Sequence, residues 1–590
     1  VVSEFGVVRP HRYGIVRIVA SAAKKAYATV VIAPAVRRVT VTPSLDTLFV
    51  RDPILPGDTR RLTAFALDDS GRVVTGSRLE WISATPAIAT VDSTGLVRAI
   101  SPGAAVITAR SAGASGTATF VVAPIHKAIV VSSTVTQALA LDTIQLAATA
   151  LDYSDRPVAS TYKWTTSNAS VATVDATGRV RAVAPGTVKI TASGNFRSGS
   201  VTLTFFERQL LNVQAGEDYS CGTAPLGRLY CWGRGELGQL ATPADSACFD
   251  ESGVRTCALA PKRHSGPILD LRHAATGGDF ACALSDARML YCWGGFSEGQ
   301  IGDGGLGGGS TPTLATVSTV RFDSVTTGGQ HGCALTSAGA AYCWGSDRFG
   351  QLGDRRQVNS TTPIPVYGGH AFRSISAGGA HTCGIRTDGQ AMCWGDNSRG
   401  QLGNGGSGGI IDAPVPVVSG GPFLMMSAGF QHTCALAANG RAFCWGDNSR
   451  GQLGNGATSS VPAVVPTAVQ GTLNFVSISA GKSVVSTGNL QANRSHTCAI
   501  STDASAYCWG DNYWRQSGSD DASIGTLNAP NLISSSTSGG FRTISTGWRH
   551  SCAYGNNGTA WCWGSNVYGS LGNELQAAGR HVPQQVVRPR

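Results

Sequence analysis

Seven pairs of cysteines, each with the same internal spacing, constrain this 590-residue chain more than any other feature. Cys221 goes with Cys231, Cys282 with Cys292, Cys333 with Cys343, and Cys383 with Cys393. Cys434 goes with Cys444, Cys498 with Cys508, and Cys552 with Cys562, and every pair is 10 residues apart. Successive first cysteines are 61, 51, 50, 51, 64 and 54 residues apart, so the repeating unit is about 50 residues and the excess is insertion. Each unit reads as two short strands joined by a tight turn. Around Thr387, Asp388 and Gly389, a three-residue hairpin loop pairs 386 with 390, 385 with 391, 384 with 392 and Cys383 with Cys393. Gly389 then takes the left-handed position that such a loop needs. Directly opposed cysteines fall within the Cα separation a disulfide can span, near its short end.

Zinc is the competing use of paired cysteines. Metal knuckles favour much closer spacings, and seven separate two-ligand sites serve no coordination chemistry. The remaining two of the 16 cysteines, Cys248 and Cys257, lie in the insertion after the first unit and are expected to form an eighth bridge. An even count with no cysteine left over points to an oxidising compartment.

Units of this length that can each form only a small sheet fit radial repetition, a β-propeller of four-stranded blades. The repeat resembles the regulator of chromosome condensation repeat family. The residues that carry the likeness are Gly378-Gly379-Ala380-His381 and its counterparts, the seven Trp-Gly pairs, and Gly-Gln-Leu-Gly at 350–353, 400–403 and 451–454. Looser copies stand at 238–241, 299–302 and 569–572. The likeness spans about 207–590 and implies a seven-bladed propeller. Members of that family in the nucleus act on a small GTPase and on chromatin. The cysteine pairs argue against that role here, because a reducing compartment would leave them unused. A Pro-x-Pro-Val segment precedes the Ser-Ala-Gly stretch of middle units, as at 363–366 and 414–417, and the first unit lacks one. The tail at 582–587 is therefore expected to complete the first blade and close the ring.

The first third of the chain repeats differently. Trp81, Asp92, Gly95, Pro102 and Gly103 recur 83 residues later as Trp164, Asp175, Gly178, Pro185 and Gly186. Strand-length alternating segments separated by Asp, Gly and Pro turns, in units of about 85 residues, predict small β-sandwiches with the tryptophan between the sheets. These copies resemble the bacterial immunoglobulin-like group 2 domain, over 36–124 and 125–206. That likeness implies a spacer or adhesive stalk on a bacterial surface protein. Gly6, Arg9, Gly14 and Ile18 match Gly95, Arg98, Gly103 and Ile107 at an offset of 89, so residues 1–35 read as the closing strands of a further sandwich in a longer protein. The expected fold is thus all-β: 1–35, 36–124 and 125–206 in tandem sandwiches, then 207–590 as a propeller with one disulfide per blade.

Charge separates the two regions. Residues 1–206 hold 21 Lys+Arg against 12 Asp+Glu, whereas 207–590 hold 25 against 24, so nearly all of the net +10 belongs to the sandwiches. The basic residues are dispersed singly or in pairs, the pattern of solvated strand faces, and no nucleic-acid partner is expected. No apolar run is long enough to span a bilayer as a helix.

Five histidines, His331, His381, His432, His496 and His550, recur two residues before a cysteine, and Tyr219 and Phe280 hold the position in the first two blades. A position that accepts aromatic substitutes is structural, so these histidines are expected between blades and not on a metal. The Asp-Asn pairs at 396–397, 447–448 and 511–512 suit turns. The seven Trp-Gly tryptophans are expected in the core between blades. No catalytic constellation, cofactor motif or metal set is present, and the chain is expected not to be an enzyme. Departures from the repeat are more telling. Tyr513, Trp514 and Arg515 interrupt the blade-six turn, and Trp548 and Arg549 stand in blade seven where neighbouring blades have Gly-Ala or Phe-Gln. Aromatic and arginine side chains on propeller loops are the usual anchors of a binding surface, with insertions at 241–268, 482–495 and 519–540 as a surrounding rim. The expectation is a secreted or cell-surface binding protein that meets a protein or glycan partner. A structural subunit of a surface layer, filament or envelope assembly, joined through its sandwiches, is the alternative.

Overall fold

A computed structural model describes residues 7–9, 14–21, 25–32, 34–50, 58–153, 155–194, 196–250, 253–264, 270–295, 297–306, 313–314, 320–418, 421–482, 494–519, 525–533 and 539–589. The chain divides into two units, Val1–Phe206 and Glu207–Arg590.

In the first unit the 83-residue repeat is a repeated turn packed on a repeated tryptophan. Asp92 Oδ1 accepts hydrogen bonds from the Thr94 hydroxyl (2.7 Å) and from the N–H groups of Thr94 (2.8 Å) and Leu96 (2.9 Å). Asp175 does the same with Thr177 and Arg179. The threonine hydroxyl and then the backbone donors hold both carboxyls below the usual Asp range. The glycine that ends each turn lies flat on the indole: a Cβ on Gly95 would stand 2.8 Å from Trp81 Cζ2. In the first sandwich, strands Leu45–Val50, Ala114–Pro124, Gly103–Ser111 and Glu80–Ser83 lie side by side in that order, and the second repeats the order with Gln137–Leu139, Arg197–Phe206, Gly186–Gly194 and Lys163–Thr166. Trp81 and Trp164 are half-buried against cores built on Phe120 and Phe205. Ahead of them, Gly14–Ser21 pairs antiparallel with Lys25–Ile32, as Gly103–Ser111 pairs with Ala114–Pro124.

The second unit is a propeller of seven antiparallel sheets. Blade four shows the pattern: Phe372–Ala377 is innermost, followed outward by His381–Arg386, Ala391–Asp396 and Ile410–Pro416. Cys383 faces Cys393, Gly384 faces Met392 and Ile385 faces Ala391, which is the register expected from the turn. Every blade carries its own disulfide. Cys221 is bonded to Cys231 in blade one, Cys282 to Cys292 in blade two, and Cys333 to Cys343 in blade three. Cys383 is bonded to Cys393, Cys434 to Cys444, Cys498 to Cys508 and Cys552 to Cys562 in blades four to seven. Their Cα atoms are 4.0 to 4.1 Å apart, the close approach of directly opposed residues in a hairpin. Cys248 and Cys257 form the eighth bridge, at a Cα separation of 6.0 Å. No cysteine is free.

The tail does not complete the first blade. Ala577–Gln585 pairs with Ala560–Asn566 and is the outermost strand of blade seven. The Pro-x-Pro-Val segments are likewise last strands: Ser360–Pro365 pairs back onto Ala341–Gly345 of blade three. Blade one takes its outer strands from its own insertion, where Gly253–Arg263 pairs with Arg228–Arg234 and with Ser246–Asp250. Every blade is therefore contiguous in sequence, and the ring closes by packing the sides of blades seven and one together. Val586 is buried in the same cluster as Leu210, Val213, Leu229 and Trp232.

Blade meets blade through three repeated contacts. Each Trp-Gly indole is wholly buried and donates from Nε1 to a carbonyl of the preceding blade, as Trp394 does to Gln351 at 3.0 Å and Trp445 to Gln401 at 3.0 Å. Each repeat histidine bonds from Nε2 to a hydroxyl of the next blade: His331 to Thr382, His381 to Thr433 and His432 to Thr497, all at 2.9 Å. Thr382 and Thr433 in turn donate to the carbonyls of Gln351 and Gln401. Along the innermost strands, Ser376, Ser427 and Ser479 accept from the N–H groups of Ala428, Ala480 and Thr546. The histidines are structural, as their interchange with Tyr219 and Phe280 implies.

Candidate functional site

Antiparallel order puts two loops of every blade at the same end of the propeller: the one between its first and second strands, and the one between its third and fourth. Trp548 and Arg549 occupy the first loop of blade seven, and Tyr513, Trp514 and Arg515 occupy the second loop of blade six. The residues that break the repeat thus share one face.

Four of the five form one array. The Arg549 guanidinium lies 3.7 Å from the Trp548 ring centre and 5.0 Å from that of Trp514. Trp514 meets Tyr513 edge to face at 5.0 Å. Arg494, which the repeat pattern does not single out, lies 3.8 Å over Tyr513 and 3.8 Å from Asp511 Oδ2. From blade seven to blade six the order is Trp548, Arg549, Trp514, Tyr513 and Arg494, with each cation held against a π face. Tyr513 is 60% exposed, so the array opens to solvent at that end. At the other end, Trp514 Nε1, Trp548 Nε1 and Arg549 Nε are buried and have no hydrogen-bond partner among the described residues. Arg515 departs from the group. Its guanidinium turns to His581 Nδ1 at 3.3 Å, and its backbone is left-handed with φ at 66°.

Beside the array, toward blades one and two, stand Glu217, Asp218 and Asp279. Burial first, then the charges of Asp279 and Asp218, push the Glu217 carboxyl well above its usual range. Burial also raises Asp218 and Asp279, against the pull of Arg234 on both and of Arg549 on Asp218. The face therefore carries an arginine–aromatic half and a carboxyl half. The signal that finds the second half is positional: Glu217 and Asp218 occupy in blade one the slot that Trp548 and Arg549 occupy in blade seven. The acids there depart from the repeat in charge and not in aromatic character.

Of the expected rim, 241–268 is largely the extra hairpin and outer strand of blade one. Most of 482–495 and parts of 519–540 lie outside the described residues. The Asp-Asn pairs shape turns: Asp396 Oδ2 accepts from Gln401 Nε2 at 2.8 Å, and Asn397 Oδ1 from the Leu402 N–H at 3.2 Å. Among the described residues no group of three or more His, Cys, Asp or Glu side chains is arranged to hold a metal, and no helix is long and apolar enough to cross a membrane.

Comparison with known proteins agrees with both halves of the chain. Residues 35–122 and 127–205 match the bacterial Ig-like domain (group 2). Residues 197–490 match the RCC1-like domain, and 489–513 and 541–570 match the regulator of chromosome condensation (RCC1) repeat. The ultraviolet-B receptor UVR8 of Arabidopsis thaliana is 28% identical over 311 residues, 50% of this chain and 66% of its own length. The human E3 ubiquitin-protein ligase HERC2 is 28% identical over 287 residues, 47% of this chain but 6% of that protein. Among solved structures, human WBSCR16 superposes with a TM-score of 0.52 at 18% identity, covering 61% of this chain and 94% of that one. Prp20p of Saccharomyces cerevisiae gives 0.51 at 20% identity, covering 64% and 88%. At such identities these structures show the fold alone. The chain belongs to the RCC1-like propeller family and carries two group 2 bacterial Ig-like domains ahead of that propeller.

Proposed function

We propose that this chain is a non-catalytic extracellular binding protein of a bacterium, in which Ig-like modules serve as a stalk and the propeller engages a protein or glycan partner. The observation that carries this reading is the array on one propeller face. Tyr513, Trp514, Trp548 and Arg549 break the repeat in two different blades, yet they meet. A scaffold needs the same residues in every blade; a residue set that departs from the repeat and converges is spent on something other than the ring. Rigid aromatic and arginine groups supply most of the energy of typical binding surfaces, and Tyr513, 60% exposed, presents the open end of the array to a partner. Eight disulfides support an oxidising location.

The test uses the full chain on a glycan array and in a cell-surface adhesion assay, beside the double variant Trp514→Ala/Arg549→Ala. Loss of a bound signal by at least ~10-fold is expected, the equivalent of about 1.4 kcal/mol for a surface anchor. Binding that survives the double variant, with the fold intact by circular dichroism, overturns the assignment of this face.

A further inference from the structure

The innermost strands enclose a lumen, and the Lys482 side chain reaches across it. Lys482 follows the innermost strand of blade six, and its Nζ donates to the carbonyl of Thr327 in blade three at 2.8 Å. The equivalent position is glycine in blades two, three and four (Gly278, Gly329 and Gly379). It is Phe430 in blade five, Trp548 in blade seven and Glu217 in blade one, so the glycines of blades two to four leave the lumen open where the Lys482 side chain crosses it. It borders a cavity of about 290 Å³, lined on the other side by innermost-strand residues of blades one to three, including Gln214, His273, Thr276, Ser324 and Thr326.

The ammonium has no ion pair among the described residues. Burial draws its pKa down to about 8, with no carboxylate opposing the shift. The charged or titratable neighbour it acts on is His331, whose basicity it lowers further. The adjoining stretch 483–493 contains no Asp or Glu. Asp323 also borders the cavity, but its charge is taken up by Arg288 at 3.0 Å. An ammonium partly withdrawn from water without a counter-charge is destabilising, and it has three donors of which the Thr327 carbonyl takes one. A polar cavity beside such a group is a place where an anion lowers the energy of the folded protein.

We propose that the propeller lumen binds a small oxyanion, a carboxylate or phosphate group held by the Lys482 ammonium and by hydroxyl and amide groups of the innermost strands. The volume sits at the small end of ligand pockets, so the ligand is of the size of citrate or inorganic phosphate, not a polymer. Lys482 shares the blade-six loop with Arg494, but the proposal does not rest on a binding role for the aromatic array.

Isothermal titration of the full chain at pH 7 and fixed ionic strength, with citrate and separately with inorganic phosphate, tests the proposal. At least one is expected to bind the wild type, and which one identifies the headgroup the lumen accepts. Lys482→Met is expected to weaken binding at least ~10-fold and to raise the melting temperature, because it removes a part-buried charge that has no counter-charge. Ser324→Phe, which fills the cavity and leaves the ammonium in place, is expected to abolish binding by a separate route. Arg356→Met, at a side chain 75% exposed, is expected to leave binding unchanged. Failure of both anions to bind the wild type overturns the proposal, as does undiminished binding to Lys482→Met or Ser324→Phe.

Discussion

His550 Nε2 and Ser220 Oγ, 330 residues apart in sequence, are hydrogen-bonded at 2.8 Å where the last blade meets the first. The Ser220 hydroxyl donates to the carbonyl of Ser570 at 3.1 Å, so it accepts from the histidine, which therefore carries its proton on Nε2. Trp232 donates to the same carbonyl at 2.9 Å. This closing seam repeats the bonding of the internal seams with different residues: Ser220 stands for threonine, and Ser570 for glutamine. Ring closure therefore comes from the general blade-to-blade contact and needs no exchanged strand.

Ser220→Ala removes the acceptor that satisfies His550 and is expected to destabilise the propeller by about 1–3 kcal/mol. Thr382→Val, which makes the same deletion at the seam of blades three and four, is expected to cost a similar amount in denaturant titration. A much smaller effect at Ser220 than at Thr382 would show that the first and last blades are not held as the others are.

The buried histidines make the ring sensitive to acid. Burial lowers His331, His381, His432, His496 and His550 to about 3, against about 6.5 in the unfolded chain. Between those values the unfolded chain binds protons that the folded propeller refuses, so stability is fully present above pH 6.5 and is lost as the pH falls toward 3. Each histidine contributes on the order of a few kcal/mol. Chemical denaturation is expected to show a propeller transition that moves to lower denaturant below pH 6. In His381→Gln, which keeps an N–H donor without the titration, the slope against pH is expected to be shallower.

The strictly repeated residues are readable in sequence because each carries a contact made many times over. Cys383 and Cys393 mark the middle of the blade, Trp394 its seam and Asp92 with Gly95 the sandwich turn, and each lands where the repeat puts it. The phase of the repeat is not readable. The segment at 363–366 stands just before the next Ser-Ala-Gly stretch, and nothing local says whether it hydrogen-bonds backward or forward. The structure resolves it: Ser360–Pro365 pairs backward onto Ala341–Gly345 of its own blade. Glu217 and Lys482 carry a positional signal, since both stand at the repeat position of Trp548, but their charge alone says nothing, because a charged residue in a loop resembles a solvated one until the ring encloses it.

Arg515 is an exception to the repeat that costs stability. Its φ of 66° matches the left-handed glycines at the same point of other blades, Gly400 at 69° and Gly451 at 71°. A side chain in that conformation is strained by about 1–2 kcal/mol. Arg515→Gly is therefore expected to raise the stability of the propeller by about 1 kcal/mol despite losing the contact with His581. Since Arg515 lies outside the aromatic array, binding at that face is expected to persist. A melting temperature that falls in this variant would show that the His581 contact outweighs the backbone strain.

Blade three carries a second exception. In blades four, five and seven the turn is closed by an amide pair: Asn397 donates to Asn404 at 3.2 Å, Asn448 to Asn455 at 3.1 Å and Asn566 to Asn573 at 3.0 Å. Blade three places Asp347 and Asp354 at these positions, carboxyl against carboxyl, and their Oδ2 atoms are buried without a donor. Arg356, itself exposed, reaches only to 3.7 Å from Asp354. Burial, and then the facing Asp354, raise Asp347 to about 7. Here the folded state holds a proton that the unfolded state releases near pH 4, so this pair loses stability as the pH rises from 4 toward 7, opposite to the histidines. Asp354→Asn restores a donor to the Asp347 carboxylate and is expected to stabilise the propeller by about 1–3 kcal/mol at pH 8, as a hydrogen bond to a charged acceptor does. At pH 4 the gain is expected to vanish, because wild-type Asp347 then carries the proton itself. The difference between variant and wild type at each pH cancels the histidine contribution, so a gain that is the same at pH 4 and pH 8 would mean the two carboxyls do not share a proton in the folded blade.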